Sequence, residues 1–203
     1  MKQLLVFFLM TLGTLAADSE PPKKTVLILG DSITEGYGVE KEKSFPALLE
    51  RLLHKQGKTE IRVFMAGIGG ATTASGVQRL KYHFKENPDI LVLALGANDG
   101  LRGLKVAETK KNLKETLRLA KTKGLKILLA GMKVPPNYGK NYAQEFTKMF
   151  EILAREEKIA LMPFLLEGVG GEQELNQEDG IHPNEKGHAL IAKNLLQHLE
   201  KLF

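Results

Sequence analysis

Cysteine is absent from the 203-residue chain. That absence excludes a disulfide framework, a thiolate zinc site, a cysteine nucleophile and a cysteine-linked lipid anchor. Any nucleophile has to be another side chain. A membrane-spanning run is missing too. The longest apolar stretch, Leu4 to Leu15, is interrupted by Thr11 and Gly13 and falls short of the roughly 18 apolar residues that cross hydrocarbon. Nor is there a basic stripe: 29 Lys+Arg against 24 Asp+Glu leave +5, but the two signs are interspersed, which reads as a solvated surface and not as a nucleic-acid face. What is present suits a packed core. Hydrophobic residues make up 43% and charged residues 26%, far from the composition of disordered chains.

The N-terminus has the layout of an export signal. Lys2 precedes the apolar run, and Thr14-Leu15-Ala16-Ala17 offers small residues for cleavage before the polar Asp18-Ser19-Glu20-Pro21-Pro22. The expectation is a signal peptide over residues 1–17 and a single domain over 18–203. The mature protein is then exported, periplasmic or extracellular, with no stable membrane insertion.

Beyond that segment, apolar runs rich in β-branched residues recur at Thr25 to Leu29, Ile61 to Met65, Ile90 to Leu95 and Lys126 to Ala130, with a short one at Ile159 to Met162. Such continuous runs suit strands buried on both faces of a parallel sheet. Helical spacing fills the intervals, as in Phe45, Leu48, Leu49, Leu52 and Leu53, or Phe146, Met149, Phe150 and Leu153. The last stretch, from Asn184, aligns Ala189, Ala192, Leu195, Leu196, Leu199 and Leu202. The alternation predicts an α/β fold, a three-layer α/β/α sandwich with about five parallel strands. Ligands of such sheets bind where the strands end, so the loops after each strand are the places to look for chemistry.

After the first strand the chain reads Gly30-Asp31-Ser32-Ile33-Thr34-Glu35-Gly36. Ser32 and Glu35 fit a capping box that only starts a helix; equally, the turn exposes the Ser32 hydroxyl beside free amide groups. The G-x-S-x-G nucleophile elbow is not there. The second strand runs into Gly67-Ile68-Gly69-Gly70-Ala71-Thr72, where Thr72 spoils G-x-G-x-x-G and no Gly-Lys-Ser/Thr follows, so nucleotide binding is disfavoured. Its glycines serve either a turn or a close backbone approach to a reacting oxygen. The third strand ends in Gly96-Ala97-Asn98-Asp99-Gly100, ordinary turn chemistry that also sets the Asn98 amide in the cleft. Near the C-terminus, Asp179-Gly180-Ile181-His182-Pro183-Asn184 combines a turn, a helix cap at Asn184 and an Asp and a His three residues apart. A carboxylate there can accept from the imidazole Nδ1–H and leave Nε2 free to take a proton. The other histidines, His54, His83, His188 and His198, fall on helical segments as surface or satisfied core residues. His182 and His188 lack a third metal ligand, and no metal or cofactor is expected.

Together, Gly-Asp-Ser after strand one, a glycine after strand two, Gly-x-Asn-Asp after strand three and Asp-x-x-His before the last helix resemble the SGNH (GDSL-type) hydrolase family, which has a flavodoxin-like sheet. Each piece is short; four in order at successive strand ends are far more specific. The resemblance covers the whole mature chain. It is nearest the thioesterase/lysophospholipase/arylesterase branch, through Val134-Pro135-Pro136-Asn137-Tyr138-Gly139, Tyr142, Phe146 and Pro163-Phe164. Departures stand at Met65, where that branch often has Asn, and at Ala71, where it has an acidic residue. The resemblance implies Ser32 as nucleophile, His182 as base, Asp179 as its orienter, and an oxyanion hole from Ser32, Gly70 and Asn98.

Asp31, Pro135 and Tyr138 are expected to contact substrate, the last two on a lip over residues 132–142. An apolar lip favours fatty-acyl or aryl esters and acyl thioesters, small molecules, over sugars. Two other readings stay open from the sequence: a carbohydrate acetylesterase, and an exported binding module whose Ser and His are inert.

Overall fold

The computed structural model describes residues 24–203; the expected signal segment, 1–17, lies outside them. Five strands form one sheet: β1 (Lys24–Gly30), β2 (Ile61–Gly67), β3 (Ile90–Ala94), β4 (Lys126–Ala130) and β5 (Ala160–Met162). Their order is β2-β1-β3-β4-β5, and every neighbouring pair is parallel. This is the α/β architecture expected from the alternation of apolar runs and helical spacing.

The reason these runs become strands is visible in their burial. Val26 to Leu29 and Leu91 to Ala94 are fully buried, because β1 and β3 are central and covered on both faces. β2 is an edge strand, and Arg62 on it is exposed. Helices complete the layers: α2 (Phe45–Lys55) packs on α7 (Glu185–Leu199), while α3 (Gly76–His83), α5 (Val106–Thr122) and α6 (Lys140–Glu156) pack together. Their inner residues recur at three- and four-residue intervals, as in Phe146, Met149, Phe150 and Leu153 on α6. Truncating one such side chain to alanine typically costs about 2–5 kcal/mol.

Two strands run further than their apolar stretches. β1 and β2 continue into the pair Gly30↔Gly67, since a ladder needs backbone and not side chains. No larger residue fits at either position. A Cβ on Gly30 would sit 1.9 Å from Thr34 Oγ1, and one on Gly67 would sit 2.1 Å from the Glu35 nitrogen. Their bareness lets the short helix α1 (Ser32–Glu35) lie directly over the strand ends. The strand order reverses between β1 and β3, and the crevice at such a switch point is where ligands of these sheets bind. Ser32 follows β1, and Asn98 lies in the short helix α4 (Ala97–Leu101) that follows β3.

α7 buries most of its expected face, with Ala192, Leu195 and Leu199 in the core. Gly187, His188, Ile191, Ala192, Leu195 and Leu199 are buried, Ala189 and Leu196 are half-buried, and Leu202 lies beyond the helix. Gly187, His188 and Ile191 add to that face, and the first turn of the helix packs closely: a Cβ on Gly187 would lie 2.2 Å from the Leu175 carbonyl oxygen. His188 thereby becomes a core residue. Its Nδ1 accepts from the Phe45 N–H at 3.2 Å, and its ring stacks on the Phe45 ring.

Candidate active site

Ser32 opens α1, but it does not cap it. The N-cap is Asp31, whose Oδ1 accepts the Ile33 N–H at 3.1 Å. The capping-box reading of Ser32 and Glu35 is therefore corrected. With Asp31 in the capping role, the Ser32 hydroxyl is released to another partner, His182 Nε2 at 3.0 Å. On the far side of the ring, Nδ1 lies 2.7 Å from Asp179 Oδ2. An ionised carboxylate can only accept, so Nδ1 carries the proton and Nε2 accepts from the Ser32 hydroxyl. Asp179 Oδ1 also accepts the N–H groups of Ile181 and His182, at 2.9 and 3.0 Å. The His182 N–H above all, then the imidazole, pulls its carboxyl down to about 2. The Asp-x-x-His spacing works because the turn at Gly180 (φ +67°) folds the carboxylate back under the ring.

Gly70 has φ +72°, a left-handed conformation that glycine adopts without steric cost. Asn98 reaches the same loop, its Nδ2 donating to the Ala71 carbonyl at 3.1 Å. One hydrogen of that amide is thus engaged and the other is left for a ligand. Beside these residues lies a cavity of about 340 Å³, lined by Ile33, Ala97, Leu101, Val134, Phe164 and Ile181 among others. Three of these, Ile33, Ala97 and Ile181, are chain neighbours of Ser32, Asn98 and His182.

The residues expected to contact substrate are placed differently from one another. Pro135 lines the cavity. Tyr138 is bound at its margin, donating its hydroxyl to the Leu101 carbonyl at 2.9 Å. Asp31 is corrected: it is 1% exposed, and its carboxyl faces the helix it caps, which leaves a substrate no surface to touch. Burial raises that carboxyl to about 6. The expected lip is also shorter than 132–142, because α6 begins at Lys140 and takes in Tyr142.

Several residues of the site carry no local signal in the sequence. Tyr37 sets its ring against that of His182, with centroids 4.6 Å apart. Gln177 donates to the carbonyls of Tyr37 and Pro183, at 2.7 and 3.0 Å, and its N–H donates to the His182 carbonyl at 2.8 Å. It ties the loop after α1 to the histidine turn across about 140 residues. Only the half-buried setting of that glutamine, which sequence does not reveal, gives it away. Among the described residues no group of three His, Asp or Glu side chains is placed to hold a metal ion.

Comparison with known proteins shows the family and the fold. Residues 28–190 match the model of the GDSL-like Lipase/Acylhydrolase family. The chain is 40% identical to "Esterase TesA" of Pseudomonas aeruginosa over 180 residues, 88% of this chain and 89% of that one. It is 38% identical to "Arylesterase" of Vibrio mimicus over 188 residues, 92% and 93% of the two chains. Among solved structures, that of TesA superposes with a TM-score of 0.85 at 40% identity, covering 89% of this chain and all of the other. The esterase EstA from a Pseudoalteromonas species superposes with a TM-score of 0.83 at 30% identity, covering 88% and 98%. A five-stranded α/β sheet carrying a serine and a histidine at its switch point is the framework of an ester-bond hydrolase. By sequence and by fold, the chain belongs to the GDSL-like Lipase/Acylhydrolase family.

Proposed function

We propose that the protein is an exported serine esterase that cleaves carboxylic esters and acyl thioesters carrying one fatty-acyl or aryl group. The observation that carries this reading is the continuous relay from Ser32 Oγ through His182 to Asp179, whose chain neighbours Ile33, Gly180 and Ile181 line an apolar cavity. Ser32 Oγ attacks the acyl carbonyl carbon while His182 Nε2 takes its proton. The carbonyl oxygen gains negative charge, which the Ser32 N–H, the Gly70 N–H and the Asn98 amide receive. Collapse breaks the bond to the alcohol or thiol, which leaves with the proton from His182. Water, deprotonated in turn by His182, then frees the acid and restores Ser32. Asp179 holds the imidazole in the required tautomer and stabilises its charged form.

The cavity supports the substrate class. Its volume is at the small end of the roughly 300–1,000 Å³ of ligand sites, room for a single acyl chain or aryl ring. Relatives named esterase, arylesterase and "Thioesterase 1/protease 1/lysophospholipase L1" point the same way.

Intact mass after fluorophosphonate treatment tests the nucleophile. One adduct is expected on the wild type and none on Ser32→Ala; an unlabelled wild type would overturn the reading. A series of p-nitrophenyl esters of increasing acyl length, run beside acetylated xylan, tests the substrate class, with acyl esters expected to be favoured. Export follows from the N-terminal segment, and N-terminal sequencing of the mature protein is expected to begin at residue 17 or 18.

A further inference from the structure

Under the proposed function, two of the three oxyanion donors come from different segments, Asn98 from α4 and Gly70 from a loop that belongs to neither a strand nor a helix. Some other structure has to hold it at the right distance from Asn98. The contacts identify that structure. Three residues of the segment after β3 each take one residue of the Gly70 loop: Asn98 Nδ2 donates to the Ala71 carbonyl, and Arg102 donates to the Gly70 carbonyl at 3.0 Å. Between them Asp99 accepts twice from Thr73, from its N–H at 2.9 Å and from its hydroxyl at 2.5 Å.

The Asp99–Thr73 link is the buried one. Each residue is 1% exposed, and the pair is tied back to α5. Thr109 donates to Asp99 Oδ1 at 3.4 Å, and Asn112 donates to the Thr73 hydroxyl at 3.2 Å. A carboxylate is an unusual choice for so buried a place unless every contact satisfies it. Here both oxygens are used, and charge-assisted bonds are the stronger and shorter kind. By contrast the Arg102 contact is exposed, where solvent competes.

We infer that Asp99 is a positioning residue for the ester hydrolysis, and that through Thr73 it sets the spacing of the Gly70 N–H and the Asn98 amide around the developing oxyanion. It touches no substrate. Its neighbour in the chain is one donor, and its hydrogen-bond partner is three residues from the other, so any change in the link alters the distance between the two. Hydrolysis depends steeply on such distances, a misplacement of about 1 Å costing on the order of 100-fold.

The test compares Asp99→Asn, Thr73→Val and Thr73→Ser with wild type on one p-nitrophenyl ester, each also placed in an Asn98→Ala background. Asp99→Asn and Thr73→Val are expected to lower kcat roughly 10- to 100-fold with KM within about twofold, and Thr73→Ser, which keeps both bonds, to retain wild-type kcat. In the Asn98→Ala background the same changes should cost only a few-fold, since the donor being positioned is already gone. A purely structural role predicts full additivity and a lowered melting temperature that tracks the loss, and either result would overturn the inference. So would unchanged kcat in Thr73→Val. Should Asp99→Asn fail to fold, the Val and Ser variants at Thr73 decide alone. Fluorophosphonate labelling separates the two readings. A wild type that does not label fails the serine mechanism, whereas a wild type that labels and turns over beside an unaffected Thr73→Val fails only the positioning role.

Discussion

The Asp31 carboxylate caps the helix that Ser32 opens, accepting the Ile33 N–H at 3.1 Å, and this leaves the serine hydroxyl to His182. The division of labour between adjacent residues explains why an acidic residue sits beside Ser32 without reaching the cavity. Asparagine has an equivalent acceptor oxygen, so Asp31→Asn is expected to keep the cap and to change KM for an acyl ester by less than about twofold. Asp31→Ala removes the acceptor, worth about 0.5–2 kcal/mol at a helix start, and should lower kcat as the Ser32 turn loosens. Steady-state kinetics on both variants check this, and a large KM rise in Asp31→Asn would restore a direct substrate contact.

Asn98 donates to the Ala71 carbonyl, and under the proposed mechanism its other amide hydrogen serves the reaction. Removing an oxyanion donor typically lowers kcat by about 10² to 10³, or roughly 3–4 kcal/mol. Asn98→Ala is expected to fall in that range with KM little changed. A loss of only twofold would exclude Asn98 from charge stabilisation.

How much of this is legible in the residues depends on the range of the contact. β1 and β3 stand out because strands covered on both faces must be apolar throughout, and Asp179, His182 and Asn184 because their turn is local. α1 is harder: a four-residue helix shows no period, and either Asp31 or Ser32 fits the cap by composition. The roles of Gly70 and Asn98 come from family resemblance and not from spacing. Asp99 shows only as part of Gly-x-Asn-Asp, its link to Thr73 being 26 residues distant, and Tyr37 and Gln177 leave no trace, since they meet partners about 140 to 145 residues away and nothing in a single sequence marks such a meeting. His188 is readable only as one of two alternatives until the close approach at Gly187 settles which face α7 buries.

Asp179 is expected to matter less for activity than the other two members of the relay. Its side chain is 40% exposed, so water replaces part of what a lost carboxylate supplied. Asp179→Ala is expected to reduce kcat roughly 10- to 100-fold, well below the loss in Ser32→Ala or His182→Ala, given that base catalysis itself contributes about 10² to 10⁴. Its carboxyl, held down to about 2 from its usual 3.8, favours the folded state above pH 3.8, and that contribution fades as pH falls towards 2. A variant as inactive as His182→Ala would show that the carboxylate acts on more than the imidazole's orientation.

Two buried groups, each within electrostatic reach of His182, give opposing pH dependence. Burial pushes His188 down from 6.5 to about 4, so between those values the unfolded chain binds a proton that the folded one refuses, and acidification costs about 3 kcal/mol of stability. Burial lifts Asp31 from 3.8 to about 6. There the folded chain holds the proton more tightly, and acidification over nearly the same window returns about 3 kcal/mol. Wild-type stability is therefore expected to be nearly level from pH 6.5 to 4, although each contribution is large. Single variants separate them. Asp31→Asn should lose about 3 kcal/mol across that window because only the histidine cost remains, while His188→Asn should gain a similar amount because only the aspartate contribution remains. Urea unfolding of the three proteins at pH 4, 5, 6 and 7 reads the slopes directly. Parallel profiles would mean that the two groups titrate in the folded protein as they do in the unfolded chain.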